Sequence, residues 1–193
     1  MTPMRYEVRL AGSGGQGLVL AGIVLAEAAL MEGHIVIHSQ NYGPEARGGN
    51  SISEVLIADE DIDYPRALGL DLLVALNQRA CSDNLPDMKP DGLLIVDSTP
   101  VKKALWGKVL RVPLQREADH TFQDPRVVNM LALGVLTPFC PLVSEAAMTK
   151  SLSNRMSSTS LEHNLEAYRA GVARGRELQG DTHFHELEDA IEV

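Results

Sequence analysis

Leu10-Ala11-Gly12-Ser13-Gly14-Gly15-Gln16-Gly17 lies between a short apolar run, Tyr6 to Leu10, and a long one, Leu18 to Met31. This order predicts a strand, a tight glycine turn and a helix. Four glycines in six positions leave almost no Cβ atoms in the way, so the turn can take positive φ and bring backbone N–H groups close to a ligand. The unpaired N–H donors and partial positive charge at the start of the following helix make the natural guest an anion, a phosphate or pyrophosphate. Gly12, Ser13, Gly14, Gly15, Gln16 and Gly17 are therefore the first candidate binding residues.

The stretch Leu18 to Glu32 contains only Glu27 and Glu32 as charges and stops against Gly33, which suits the residue after a helix end. A helix apolar nearly all round belongs between a sheet and another layer. Ile35-Val36-Ile37-His38 reads as a second strand and completes a Rossmann-like βαβ unit. Gly12, Gly14 and Gly17 satisfy G-x-G-x-x-G, but the position for an acid on the ribose hydroxyl reads Ser39-Gln40-Asn41, with no acid before Glu45. A nicotinamide dinucleotide site lacks that anchor.

A second glycine loop follows, Asn41-Tyr42-Gly43-Pro44-Glu45-Ala46-Arg47-Gly48-Gly49-Asn50. Arg47 beside Gly48 and Gly49 offers a planar fork to phosphate or carboxylate where the backbone can approach closely. The alternative is that Arg47 pairs with Glu45 or with Asp59-Glu60-Asp61 and the glycines only make a bend. Tyr42, Arg47, Gly48 and Gly49 join the candidates. As the loop follows the second strand, it should meet the first turn at the same end of the sheet.

Further strands are predicted over Ser51–Ile57, Asp71–Leu76, Gly92–Val96 and Lys108–Val112, with a polar turn over Asp59–Pro65 and a short helix over Gln78–Leu85. Apolar strands alternating with helices indicate a three-layer α/β fold whose sheet is mostly parallel and covered on both faces. Asn77 and Asp97, at the carboxyl ends of two strands, are secondary binding candidates; capping of the next element is the simpler explanation of both. The last third reads as helical: Pro125–Leu136, then Glu145–Leu152 capped by Ser144, then Leu161–Leu178, with serine-rich Ser151–Ser160 read as a linker. One α/β domain over residues 1–178 and an acidic tail over 179–193 are expected. His183 and His185 lack a third fixed ligand and read as solvated.

With 193 residues and 45% hydrophobic content the chain can build a full core, of aliphatic character because aromatics make up only 4%. Six acids and no Lys or Arg follow Arg176, which accounts for most of the net charge of −9. The rest is near neutral, which argues against nucleic acid and anionic membrane as partners. Glu27 interrupts the longest apolar run before it could span a bilayer. Cys81 and Cys140 are isolated, so neither a zinc site nor an iron–sulfur cluster can be assembled from this chain alone. A reduced, cytoplasmic protein is expected.

No G-x-S-x-G elbow, H-E-x-x-H helix or G-K-[ST] loop is present, and no Gly-Asp-Gly of a thiamine diphosphate site. A ligand loop without catalytic groups suggests a subunit whose site is completed by partners. Gly12 to Gly17 with Ala21-Gly22, Ser39 to Gly49, Asp61-Ile62-Asp63-Tyr64-Pro65, Asn129-Met130-Leu131-Ala132-Leu133-Gly134 and Glu162 to Gly171 resemble the gamma subunit of 2-oxoacid:ferredoxin oxidoreductases, over about residues 5 to 172. The resemblance implies a domain of a multi-subunit enzyme that oxidatively decarboxylates a 2-oxoacid, gives the acyl group to coenzyme A and passes electrons to ferredoxin. It implies that this chain helps to hold coenzyme A and has no catalytic or metal-ligating residue of its own. Thiamine diphosphate, magnesium and iron–sulfur clusters would lie on alpha-, beta- and delta-type partner subunits. The Tyr42 to Gly49 loop is most similar to 2-oxoglutarate enzymes, although branched-chain oxoacid and indolepyruvate relatives share much of it. A homodimer of the isolated chain, a purely structural assembly role and a free-standing nucleotide-binding oxidoreductase remain as alternatives.

Overall fold

A computed structural model of the chain describes residues 4–43 and 49–180. Strand β1 (Arg5–Ser13) leads into the glycine turn and helix α1 (Leu18–Met31). Gly33, at φ 91°, makes the left-handed turn after α1 that an L side chain would resist. Strands β2 (Ile35–Tyr42), β3 (Asn50–Ala58), β4 (Leu70–Ala75), β5 (Met88–Asp97) and β6 (Val109–Val112) complete one six-stranded sheet in the order β2-β3-β1-β4-β5-β6.

The α/β architecture with a mostly parallel sheet is borne out, with one strand reversed. β1, β4, β5 and β6 pair in parallel, whereas β3 is antiparallel to both β1 and β2. β2 thus runs parallel to β1, as a βαβ unit requires, but β3 is inserted between them. This was illegible in the pattern, because β3 is buried along most of its length and reads like any central strand.

The two helical layers are unequal. One face of the sheet shares its core with α1, α3 (Leu114–His120), α4 (Val128–Leu136), α5 (Glu145–Arg155) and α6 (Ser158–Gly180). The other is covered over β1, β4 and β5 by α2 (Gln78–Asn84) and the segment carrying Val101 and Trp106. Beside that smaller core Arg9 is buried, tied to Glu54, Asn84 and Asp87. A buried guanidinium persists only with such partners.

Helix α3 has no counterpart in the sequence reading. The serine-rich linker is corrected, since α5 runs to Arg155 and α6 starts at Ser158. Its polarity misled because Ser151 is fully buried and donates to Glu27 Oε2 of α1 at 2.8 Å, while Met148 and Leu152 anchor α5 in the core. Helix α6 also extends two residues into the expected tail. His183, His185 and the rest of that tail lie outside the described residues. Among the described residues no helix is long and apolar enough to cross a membrane, and no cluster of three or more His, Cys, Asp or Glu could hold a metal.

Candidate functional site

The glycine turn holds its shape with its own polar groups. Ser13 N–H donates to Gln16 Oε1 at 2.7 Å and Gln16 N–H to Ser13 O at 3.2 Å. Gly14 N–H donates to Gly49 O at 2.8 Å, so the two glycine loops do meet at one end of the sheet. Asn77 Nδ2 donates to Ser13 Oγ at 3.0 Å while its Oδ1 caps α2 through Ala80 N–H at 2.7 Å. Gly12 is wedged against Gln16, Leu18 and Leu76, where a Cβ has no room.

Past this braced half the turn opens. Gly15 has φ 94° and nothing within 4 Å of where a Cβ would be. Gly17, at φ 69°, is the N-cap of α1 and supplies no side-chain cap, and the first turn carries no acid. The leading amides of α1 therefore have no side-chain acceptor from the cap, and their partial positive charge is not offset locally. Asn129 Nδ2 donates to Gly17 O at 3.0 Å, fixing the start of α1 to α4.

Gly15, Gly17 and Leu20 form one wall of a cleft of about 830 Å³. Phe122 to Asn129 makes the second wall and Arg155 to Asn164 the third. Each wall carries a helix start: α1 at Leu18, the 3₁₀ turn Pro125–Val127 that feeds α4, and α6 at Ser158. Two arginines reach the cleft, each paired with a carboxylate. Arg126 clasps Asp124 with Nε to Oδ1 at 2.8 Å and Nη2 to Oδ2 at 2.9 Å, and this guanidinium holds the Asp124 carboxyl down at about 2. Arg155 pairs with Glu27, while His163 stands 3.6 Å from Asp124 and edge-on to Phe122. Ser157, Thr159, Ser160 and Asn164 supply hydroxyl and amide groups.

Of the residues singled out in the sequence, Gly15 and Gly17 line this cleft, and Gly12, Ser13, Gly14 and Gln16 form the support behind them. Tyr42 is exposed at the end of β2, and Gly49 meets Gly14. Arg47 and Gly48 lie outside the described residues. Asn77 and Asp97 are not on the cleft. Asp97 is fully buried and accepts from Thr99 and Gln115 N–H at 3.0 Å each; burial pushes its carboxyl up, against those hydrogen bonds. It ties the end of β5 to the start of α3. The second and third walls were missed. Asp124-Pro125 and the serines before Leu161 are helix-start signals, but nothing local says that both starts face the turn.

Residues 7–174 match the model of the pyruvate ferredoxin/flavodoxin oxidoreductase family. The chain belongs to that family. Within it, 2-oxoglutarate synthase subunit KorC of Methanocaldococcus jannaschii is 39% identical over 180 residues, covering 91% of this chain and 96% of that one. The crystal structure of the keto/oxoacid ferredoxin oxidoreductase gamma subunit from Geobacter sulfurreducens superposes with a TM-score of 0.79 at 37% identity, over 89% of this chain and 99% of that one. The 2-oxoglutarate:ferredoxin oxidoreductase of Magnetococcus marinus, solved with 2-oxoglutarate, coenzyme A and succinyl-CoA bound, gives 0.81 at 25% identity over 90% of this chain and 31% of its own. The chain is thus a gamma-type subunit of a 2-oxoacid:ferredoxin oxidoreductase, part of an enzyme with further subunits.

Proposed function

We propose that this gamma subunit serves a 2-oxoglutarate-type enzyme and holds the phosphates of coenzyme A in the cleft beside the glycine turn. One observation carries the reading: the uncapped start of α1, flanked by Gly15 and Gly17, opens directly into a cleft of about 830 Å³. That volume suits a nucleotide-sized ligand. Both the curated 2-oxoglutarate synthase relative and the coenzyme A-bound Magnetococcus enzyme support it.

The chain's own work is binding and orientation. Backbone amides at Gly15, Gly17 and the first turn of α1 are the natural partners of a diphosphate. Arg126 and Arg155 reach the cleft paired with Asp124 and Glu27, so they would meet phosphate oxygens by sharing or exchanging those partners, and the hydroxyls of Ser157, Thr159 and Ser160 add neutral donors. Bound coenzyme A supplies the thiol that receives the acyl group. Thiamine diphosphate, magnesium and iron–sulfur clusters are assigned to alpha-, beta- and delta-type subunits, and ferredoxin takes the electrons from those. Tyr42, exposed at the end of β2, and Gly49, whose carbonyl accepts from Gly14 N–H, stand on the β2–β3 side of the turn, and Arg47 and Gly48 are assigned to the same site from the sequence alone.

One observation favours a structural role instead: Ser13, Gly14 and Gln16 spend their amides inside the fold. Kinetics of the assembled complex separate the two. With Gly15→Ala and Arg126→Ala, the KM for coenzyme A should rise by about tenfold or more, as loss of a charge-assisted contact implies, while the KM for the oxoacid holds. An unchanged coenzyme A dependence in intact complexes would overturn the site. Reduced assembly with normal coenzyme A dependence would establish the structural role.

A further inference from the structure

The sheet ends at β2, and the hydrogen bonds of its neighbours fix which way each β2 residue points. Gly14 N–H bonds Gly49 O and Gly43 N–H bonds Asn50 O, at 2.8 and 2.7 Å. Antiparallel ladders alternate bonded and non-bonded pairs, so β2 bonds to β3 through Ile35, Ile37, Ser39 and Asn41. Val36, His38, Gln40 and Tyr42 then turn their N–H and C=O groups outward. Among the described residues none of these four amides has a backbone partner outside its strand.

Sheet edges of this kind are normally blunted by charge, proline, a bulge or brevity. β2 has none of these. It is eight residues long, carries no Asp, Glu, Lys, Arg or Pro, and stays in continuous register with β3 from Ile35 to Tyr42. The opposite edge, β6, is four residues long with Arg111 exposed. Large apolar side chains are also uncovered at both ends of β2: Leu30, Met31 and Ile35 where α1 turns into it, and Tyr42 at 59% exposure where it leaves.

We infer that β2 is an interface strand and that its occupant is β2 of a second copy of this chain, paired antiparallel about a two-fold axis through Ser39. Only outward residues can bond across that edge, and the register that uses all four pairs Val36 with Tyr42 and His38 with Gln40 of the other copy. Ser39 then faces its own equivalent as a non-bonded pair. The antiparallel arrangement carries each exposed Tyr42 to the strand end where the other copy leaves Leu30, Met31 and Ile35 open. A parallel pairing would leave both ends uncovered. With no charged residue in the strand, no like charges are opposed.

Non-bonded antiparallel pairs stand about 4.5 Å apart at Cα, within reach of a disulfide, and both native cysteines are buried. Ser39→Cys in the full chain, and in the intact complex, should therefore cross-link to a dimer on mild oxidation. Ile37→Cys and Asn41→Cys should each stay uncross-linked alone and cross-link only when mixed. Gln40→Pro keeps the ladder to β3 but blocks the outer edge, and should reduce Ser39→Cys cross-linking to background. No cross-link from Ser39→Cys, or one indifferent to Gln40→Pro, would overturn the assignment, as would a cross-link to a different subunit. If Gln40→Pro fails to fold, the Ile37 and Asn41 mixing pattern decides alone.

Discussion

Gly17 meets two demands at once, a left-handed backbone and a neighbour that leaves no room for a side chain. Its φ of 69° strains any L residue, and a Cβ would overlap the Asn129 amide. Gly15 has only the first constraint. Gly17→Ala should lower the free energy of unfolding by about 2–3 kcal/mol and Gly15→Ala by about 1 kcal/mol, read from urea titrations; equal losses would contradict the geometry. His38 gives a pH test. Burial lowers its imidazole pKa, and its Nε2 lies 2.8 Å from Ser53 Oγ under Gly22 of α1. The unfolded chain then holds the proton more tightly, so stability is lost as pH falls from about 6.5 toward the depressed folded value. Between pH 7.5 and 5.5 the native chain should lose more stability than His38→Gln, and parallel losses would refute this. The glycines and the cap at Asn77 were legible, because turn and cap chemistry is local. Asp97 as a tie between β5 and α3 was only half legible, since its second partner lies eighteen positions on, at Gln115.

Helices α4 and α6 pack backbone against backbone. A Cβ on Gly134 would overlap the Tyr168 carbonyl and stand 2.8 Å from Gly171 Cα, and one on Gly175 would stand 2.6 Å from Val135 O. Gly134→Ala should cost about 2–3 kcal/mol despite better helix propensity, because backbone cannot yield as a side-chain tip can. Thermal unfolding that is unchanged or raised would contradict the contact. The existence of β1, α1, β4, β5 and α5 was legible from periodicity and caps such as Ser144, which accepts from Ala147 N–H at 3.1 Å. The reversed β3, α3 and the short break at Met156-Ser157 were not. Each is decided by a partner distant in sequence, as with Ser151 and Glu27.

The whole molecule is an unequal sandwich whose heavy helical face builds the cleft and whose β2 edge faces outward. The family and the tight turn between β1 and α1 were readable from two glycine loops; the cleft was not, because its other walls come from residues more than a hundred positions away. We propose coenzyme A as the occupant of this cleft in the assembled enzyme. Hydrogen exchange of the intact complex with and without coenzyme A tests it most directly. Exchange should slow over residues 14–20, 122–129 and 155–164 when coenzyme A is added, and not when the 2-oxoacid alone is added. Unchanged exchange in all three segments, with protection confined to other subunits, would contradict it.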